Sequence, residues 1–391
     1  MPTNRRWAFT NLALLGDDEI VRRLAPMISV WPGDGAHSRS VTGLGMLQCI
    51  GSDVALLHLY LISRTVQYKG LAKDARKRIT AIGTARGLTT EQVEDRLVPD
   101  FGLGKDGALT LDFGSRRCTV GFDERLSPVV IDHSGKISRS LPRPTTKDDP
   151  GLVAAARATF AGLRADVKAI AKDQIAPLES AMVLQHRWQL VDFRTFLVGH
   201  PLLIHLARRL VWMTQPVDEQ QPTTFRIAED GTFADVDDDE VLVAEDAEVM
   251  VAHPALLGGD PARWSEVFAD YLITQPFPQL GRPVHTFSEA ERTENRLTRF
   301  DGMTTYTSRV HALCRRNAAW TYYSTTLCFP LVSGAGDVLV EIDAEDSFAA
   351  EIKWVRLVGH RSDRDSADLP LSEVGPLDAS ELIQTLLDLT S

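Results

Sequence analysis

The chain has little of what marks a secreted, membrane-crossing or metal-caged protein. Its 391 residues include four cysteines, Cys49, Cys118, Cys314 and Cys328. They lie far apart with no Cys-x-x-Cys pair, so neither a disulfide framework nor a zinc cage is expected. No apolar run approaches the roughly 20 residues that a membrane helix needs. Arg5 and Arg6 stand near the start, but Thr10, Asn11 and Asp17 interrupt the apolar residues that follow, which argues against a signal-peptide core. The compartment is therefore read as cytoplasmic, with no membrane association. Positive charge is short as well: 42 Lys and Arg against 53 Asp and Glu give a net charge of −11. Such a molecule repels a phosphate backbone, so nucleic acid is not an expected partner unless a local basic patch binds it. Catalytic spacings are missing too, with no Gly-x-Ser-x-Gly elbow and no His-Glu-x-x-His pair.

What is present is ordinary globular composition, 44% hydrophobic and 24% charged. The length exceeds the roughly 250 to 300 residues at which one core stops growing, so two or three packed units are expected. The expected fold class is α+β, in four parts. Residues 1–98 read as short helices between tight breaks such as Gly16-Asp17-Asp18, Gly51-Ser52-Asp53 and Gly87-Leu88-Thr89. They suggest HEAT-like helical repeats, a truncated array because Trp7, Phe9, Leu12 and Leu14 open the chain without a polar cap. In residues 99–148 the period changes to two, at Leu109, Leu111 and Phe113 and again at Cys118, Val120 and Phe122, which predicts a small antiparallel β unit and a proline-rich connector.

Residues 149–215 read as central helices. Phe160, Leu163, Val167 and Ile170 share one apolar face beside a basic stripe of Arg164, Lys168 and Lys172, and Pro177 is expected to kink or end that helix. A second helix is expected beyond Trp188, with Leu202, Leu206, Leu210 and Met213 on one face and His205, Arg208, Arg209 and Trp212 on another. Residues 216–391 read as an α+β unit. Short strands thread an acidic segment around 235–248, an Asp260-capped helix follows, then helices over 288–300 and 304–316, further strands, and a last helix over 377–389.

Four stretches together carry a family likeness. They are Val198-Gly199-His200-Pro201 through Trp212, Phe225-Arg226-Ile227-Ala228-Glu229-Asp230-Gly231-Thr232, Val251-Ala252-His253-Pro254, and Gln275-Pro276-Phe277-Pro278-Gln279-Leu280-Gly281-Arg282-Pro283. With Trp31-Pro32-Gly33 and Asp173-Gln174-Ile175 they closely resemble the bacterial domain of unknown function 4132. The resemblance implies HEAT-like repeats ahead of the domain, a WGR domain in some members, and a molybdate-metabolism-regulator-like label on others. It implies no reaction and no catalytic residues, and it sets this chain apart from longer members that carry more upstream repeats.

Each candidate for chemistry has a plainer structural reading. Gly102-Leu103-Gly104-Lys105-Asp106-Gly107 matches a phosphate-loop pattern, but a helix precedes it and strands follow, so a hairpin loop is expected. His200, His205, His253, His285 and His311 lack any preset metal spacing and are read as packing or capping residues. The acidic run from Asp235 to Glu240 lacks the spacing of a calcium loop and is read as solvated. In 275–283 three prolines hold Phe277 and Leu280 in an extended shape, either a rigid partner-binding edge or a buried crossing between units, with the crossing favoured. The candidate interaction or ligand site is His200, His205, Arg208, Arg209, His253, Phe277, Leu280 and Arg282, with no metal and no cofactor expected. A further expectation is that His205, Arg208 and Arg209 pair with the acidic segment. The functional expectation is a non-catalytic protein-interaction module within a larger bacterial system. The alternative is an enzyme of unrecognised type, with its site where the central helices meet the α+β unit.

Overall fold

The computed structural model describes residues 11, 15–104, 106–123, 126–132, 135–214, 222–258, 260–316, 320–323, 325–332, 334, 336–343, 349–359 and 368–391. Trp7, Phe9, Leu12 and Leu14, on which the truncated-array expectation rests, lie outside these residues, as do Lys105 and the side chains of Lys168, Ile170 and Lys172. The chain gathers into two compact units, one of Met1–Gly121, Val130–Ile137 and Leu141–Thr159, the other of Phe122–Val129, Ser138–Ser140 and Phe160–Ser391.

The first unit opens with helices α1 (Asp18–Val30), α2 (His37–Ile50), α3 (Asp53–Thr65), α4 (Lys69–Ala85) and α5 (Thr90–Asp95). Short polar residues set the starts, because their side chains satisfy amide groups that the helix leaves unpaired. Asp17 accepts from the Ile20 N–H at 3.1 Å and Ser52 from the Ala55 N–H at 3.2 Å. Gly51 closes α2 with φ of 62°, a left-handed conformation that a β-carbon would strain. Helix α1 packs on α2 and α3, and α4 packs on α2 and α3, so alternate helices lie side by side in two layers. Val21, Leu24, Ile28, Leu44, Leu47, Leu56, Leu59 and Ile79 fill the space between them.

Strands β1 (Leu109–Asp112), β2 (Arg117–Phe122), β3 (Pro128–Ile131) and β4 (Ile137–Ser138) follow in sequential order in one sheet. The alternation read from the sequence sets the register of the first pair, Leu109 opposite Val120 and Leu111 opposite Cys118. The glycine-rich loop runs straight into β1, and the Gly104 N–H is already bonded to the Ala108 carbonyl at 2.8 Å. Its left-handed glycines are Gly102 and Gly107. This is the hairpin-loop reading, since a phosphate loop needs amide groups free at the mouth of a helix.

Helix α6 (Pro150–Val183) is one continuous element with Pro177 inside it. Of the two expectations for that proline, a kink or an end, the end does not occur. Beyond it the expected second helix is also corrected. The segment forms strand β5 (Trp188–Gln189), helix α7 (Leu190–Phe193), a π-turn (Arg194–Val198), the single helical turn α8 (Ile204–Ala207) and strand β6 (Trp212–Thr214). Trp212, Met213 and Thr214 are buried in succession, which a strand covered on both faces permits and a one-sided helix does not.

Strands β7 (Thr223–Ile227), β8 (Phe233–Ala234) and β9 (Glu248–Val251) complete a sheet of order β5-β9-β6-β7-β8. Phe193 packs edge-on to Trp212 at 4.7 Å and Phe225 packs on Phe233 at 4.6 Å, so an aromatic cluster covers this sheet. A 3-10 turn (Pro254–Leu256) and helix α9 (Pro261–Asp270) follow; Asp260 stands at the start of α9 without a side-chain capping bond, contrary to expectation. The expected helix over 288–300 is shorter, α10 (Glu289–Thr293), held by a capping box between Ser288 and Glu291.

A second sheet in this unit joins β10 (Thr304–Tyr306), β11 (Thr321–Tyr323), β12 (Thr326–Pro330), β13 (Asp337–Asp343) and β14 (Ala349–Val358) in the order β10-β14-β13-β12-β11. Helix α11 (Thr307–Arg316) lies between β10 and β11 in the chain, and α12 (Pro376–Thr390) ends it. Leu382, Ile383, Leu386 and Leu389 of α12 share one core with Val340, Ile352 and Leu357 of the sheet. The protein is thus a mixed α+β fold with antiparallel sheets, and among the described residues no helix is long and apolar enough to cross a membrane.

Candidate functional site: a helix-walled cleft over a buried Arg–Glu–His cluster

The proline-rich stretch 275–283 is the hinge of the site. Its buried Gln279 stands in for a strand amide: Oε1 accepts from the Val211 N–H at 2.9 Å, and Nε2 donates to the Val211 and Ala252 carbonyls, each at 2.7 Å. Gln275 supports it, donating to the Gln279 Oε1 at 2.8 Å and accepting from the Leu280 N–H at 2.9 Å. Phe277 is buried, and Leu280 packs on the cluster of Val211, Met250, Trp264 and Phe268. The segment is therefore a crossing anchored by two buried side chains, Phe277 and Gln279, with Pro278, Gly281 and Pro283 exposed. Its prolines fix the extended backbone without needing partners for amide groups they lack.

The crossing delivers Arg282 to helix α12. Arg282 holds Glu381 with a two-pronged fork, Nε to Oε1 and Nη2 to Oε2, each at 2.7 Å, and its Nη1 reaches Glu179 Oε1 of α6 at 3.0 Å. His253 joins from the other side. Its Nδ1 accepts from the Ala255 N–H at 3.1 Å, which leaves Nε2 to carry the hydrogen toward Glu381 Oε1 at 3.0 Å. His253 is fully buried and Glu381 nearly so. Neighbouring residues continue the seam: Ser380 Oγ accepts from the His285 N–H at 3.1 Å, and the His285 ring meets Gln384 at 2.9 Å.

Burial alone would push the Glu381 carboxyl up, but the hydrogen bonds from Arg282 and His253 and the Arg282 charge outweigh it and hold the group at about 2. The Glu381 fork raises Arg282 in turn, against its own desolvation. A carboxylate held this low is a fixed anion at neutral pH. General acid or base work needs a group poised near the operating pH, so this cluster acts as a clamp.

Above the clamp opens a cleft of ≈ 600 Å³. Ala176, Ser180 and Val183 of α6 with Leu184 just after it, Ala312 and Leu313 of α11, and Thr385 and Leu389 of α12 form its walls; Glu179, Arg282, Glu381, Arg309 and Asp388 supply charge. Arg309 Nη1 caps the end of α12 by donating to the Leu389 and Ser391 carbonyls.

Of the residues singled out from the sequence, the fold brings His253 and Arg282 together, with buried Phe277 and partly buried Leu280 as supports. His200, His205, Arg208 and Arg209 contribute nothing to the cleft lining. His200 Nδ1 accepts from the Leu202 and Leu203 N–H groups, each at 3.1 Å, and so caps a turn. His205 is held down at about 4 by burial and then by the charges of Arg208 and Arg209. The ion pairs described for the acidic segment run to other arginines than the expected stripe. Arg209 donates to the His205 carbonyl at 2.8 Å and the Thr274 carbonyl at 3.3 Å, and Arg208 has a buried Nε with no hydrogen-bond partner among the described residues.

Other arginines take the acidic residues, Arg187 with Glu248 at 3.0 Å, Arg194 with Glu245 at 2.9 Å and Arg226 with Asp238 at 2.6 Å. Strand pairing decides this, because Gln189 sits opposite Glu248 and brings Arg187 beside it. Sequence reasoning missed Glu179, Glu381, Arg309 and Asp388. Asp378, Glu381, Thr385 and Asp388 recur at helical spacing on α12, and nothing in the sequence signals that an arginine about a hundred residues upstream covers part of them.

Comparison with known proteins bears on the same residues. Residues 135–320 match the family described as domain of unknown function (DUF4132). The DUF4132 match includes Glu179, His253, Gln279, Arg282 and Arg309, whereas Glu381 and Asp388 lie beyond it. The chain is also similar to the uncharacterized protein YehI of Escherichia coli (strain K12), at 36% identity over 304 residues, 77% of this chain and 25% of that protein. It spans about a quarter of that relative's length. No solved structure matches.

Proposed function

We propose that this chain is a cytoplasmic, non-catalytic interaction module of a larger bacterial multi-protein assembly, with the cleft between α6, α11 and α12 as its docking surface. The observation that supports it is the saturation of the cleft's strongest polar groups by one another. Arg282, Glu381 and His253 use their hydrogen-bonding atoms internally, while apolar side chains such as Leu184, 45% exposed, stand open on the wall. An active site usually keeps a titratable group uncommitted and tuned toward neutral pH, and the clamp carboxylate is tuned the opposite way. The two-layer packing of α1 to α4 supports reading the first unit as HEAT-like, a class that binds partners along its stacked helices.

The test is affinity purification of the tagged chain from its host beside Leu184→Glu, with circular dichroism melts of both. A stoichiometric protein retained by the wild type and lost from an equally stable Leu184→Glu supports the reading. The same protein retained by both overturns it.

A further inference from the structure

We infer that the cleft between α6, α11 and α12 takes a basic amphipathic segment of a partner protein, seating apolar side chains on Val183, Leu184 and Leu313 and a Lys or Arg on Glu179 and Asp388. This rests on the docking reading above and adds the chemistry of the partner. The charged groups of the cleft are unevenly committed. Arg282 spends its guanidinium on Glu381 and Glu179, and Arg309 spends Nη1 on the last carbonyls of α12 and lies over the Tyr306 ring at 5.5 Å. Two carboxylates each keep an open oxygen. Glu179 uses Oε1 for Arg282 and keeps Oε2, and Asp388 uses Oδ1 for the Gln384 side chain and keeps Oδ2.

Asp388 is exposed and the Glu179 side chain is 39% exposed, so an incoming cation would meet their open oxygens without first displacing a protein partner. The lining holds three carboxylates against two arginines, and the net charge of −11 biases encounter the same way. An acidic segment would face three carboxylates with only the remaining nitrogens of Arg309 to answer it. A wholly apolar one would bury the open Glu179 and Asp388 oxygens without partners, which carries a desolvation penalty.

The experiment measures binding of two fluorescent 16-residue helical peptides to the full chain by polarisation. They share one Leu/Ala face and carry Lys or Glu on the other. The lysine peptide is expected to bind, with Glu179→Gln and Asp388→Asn each weakening it up to about fivefold, the range of exposed ion pairs, and Leu184→Glu removing it. Arg282 keeps its fork on Glu381 in Glu179→Gln, so that variant should fold normally. Equal binding of the lysine peptide by the Glu179→Gln/Asp388→Asn double variant would mark diffuse attraction to an acidic surface and overturn the inference. Preference for the glutamate peptide would overturn it too. If neither peptide binds while a co-purified protein still depends on Leu184, the inference fails alone; if that dependence is absent, the docking reading fails with it.

Discussion

Gln279 commits all four of its amide positions: two acceptances from Val211 and Gln275, and two donations to the Val211 and Ala252 carbonyls. Replacing it with the near-isosteric Glu removes both donors at a buried position. Gln279→Glu is expected to lower stability by about 3 kcal/mol, since each orphaned carbonyl costs roughly 1 to 3; an unchanged urea midpoint would refute the bridging role. The clamp makes a sharper prediction. Glu381→Gln strands the Arg282 charge and should cost about 3 to 5 kcal/mol, whereas Arg282→Met with Glu381→Leu should recover much of that, because a buried pair can often be exchanged for apolar residues at little net change. Equal losses in single and double variants, read from denaturant midpoints, would show that Arg282 and Glu381 do not act as a pair. Neither residue advertised this role. Arg282 was a candidate from its place in the proline-rich stretch, but Glu381 looks like any solvated helix carboxylate until α12 is seen beneath that stretch.

At the scale of elements, legibility followed the length over which a periodic pattern held. Strands at 109–112 and 117–122 and the last helix were readable because their alternation or apolar stripe is long and unambiguous. The stretch around 199–213 was misread. Leu202, Leu206 and Leu210 do repeat every four residues, yet the consecutive apolar run at 210–213 suits a doubly covered strand equally well, and strand neighbours from 223–227 and 248–251 decided between them. At Pro177 the sequence leaves a kink or an end open, and the helix does not end there for a different reason. A proline removes one helical hydrogen bond, but burial of Leu178, Met182 and Val183 just beyond it favours continuing the helix. The penalty should then still be present in the fold. Pro177→Ala is expected to stabilise the protein, by up to about 3 kcal/mol, through a restored N–H bond and better helix propensity. A lower melting temperature for this variant would mean that the proline is shaping the cleft wall rather than being tolerated by it.

For the molecule as a whole, acid should act in two separate windows. His205 has a folded value near 4, below the ordinary imidazole value of 6.5, because burial and then Arg208 and Arg209 disfavour its cation. The unfolded chain therefore binds that proton first. Stability from His205 is complete above about pH 6.5 and is lost as pH falls toward 4, on the order of 2 kcal/mol between pH 7 and 5. Glu381 is depressed from 4.5 to about 2, so its contribution is present above the ordinary carboxylate range and disappears only as pH falls below it. Asp230 and Asp238, both lowered chiefly by side-chain hydrogen bonds, add to that second window in the same direction. Denaturant titrations at pH 7, 5.5, 4.5 and 3 should thus show an early decline that His205→Gln flattens and a later one that it leaves untouched. If His205→Gln declines as steeply as the wild type between pH 7 and 5, the imidazole is not the buried neutral group that its surroundings dictate.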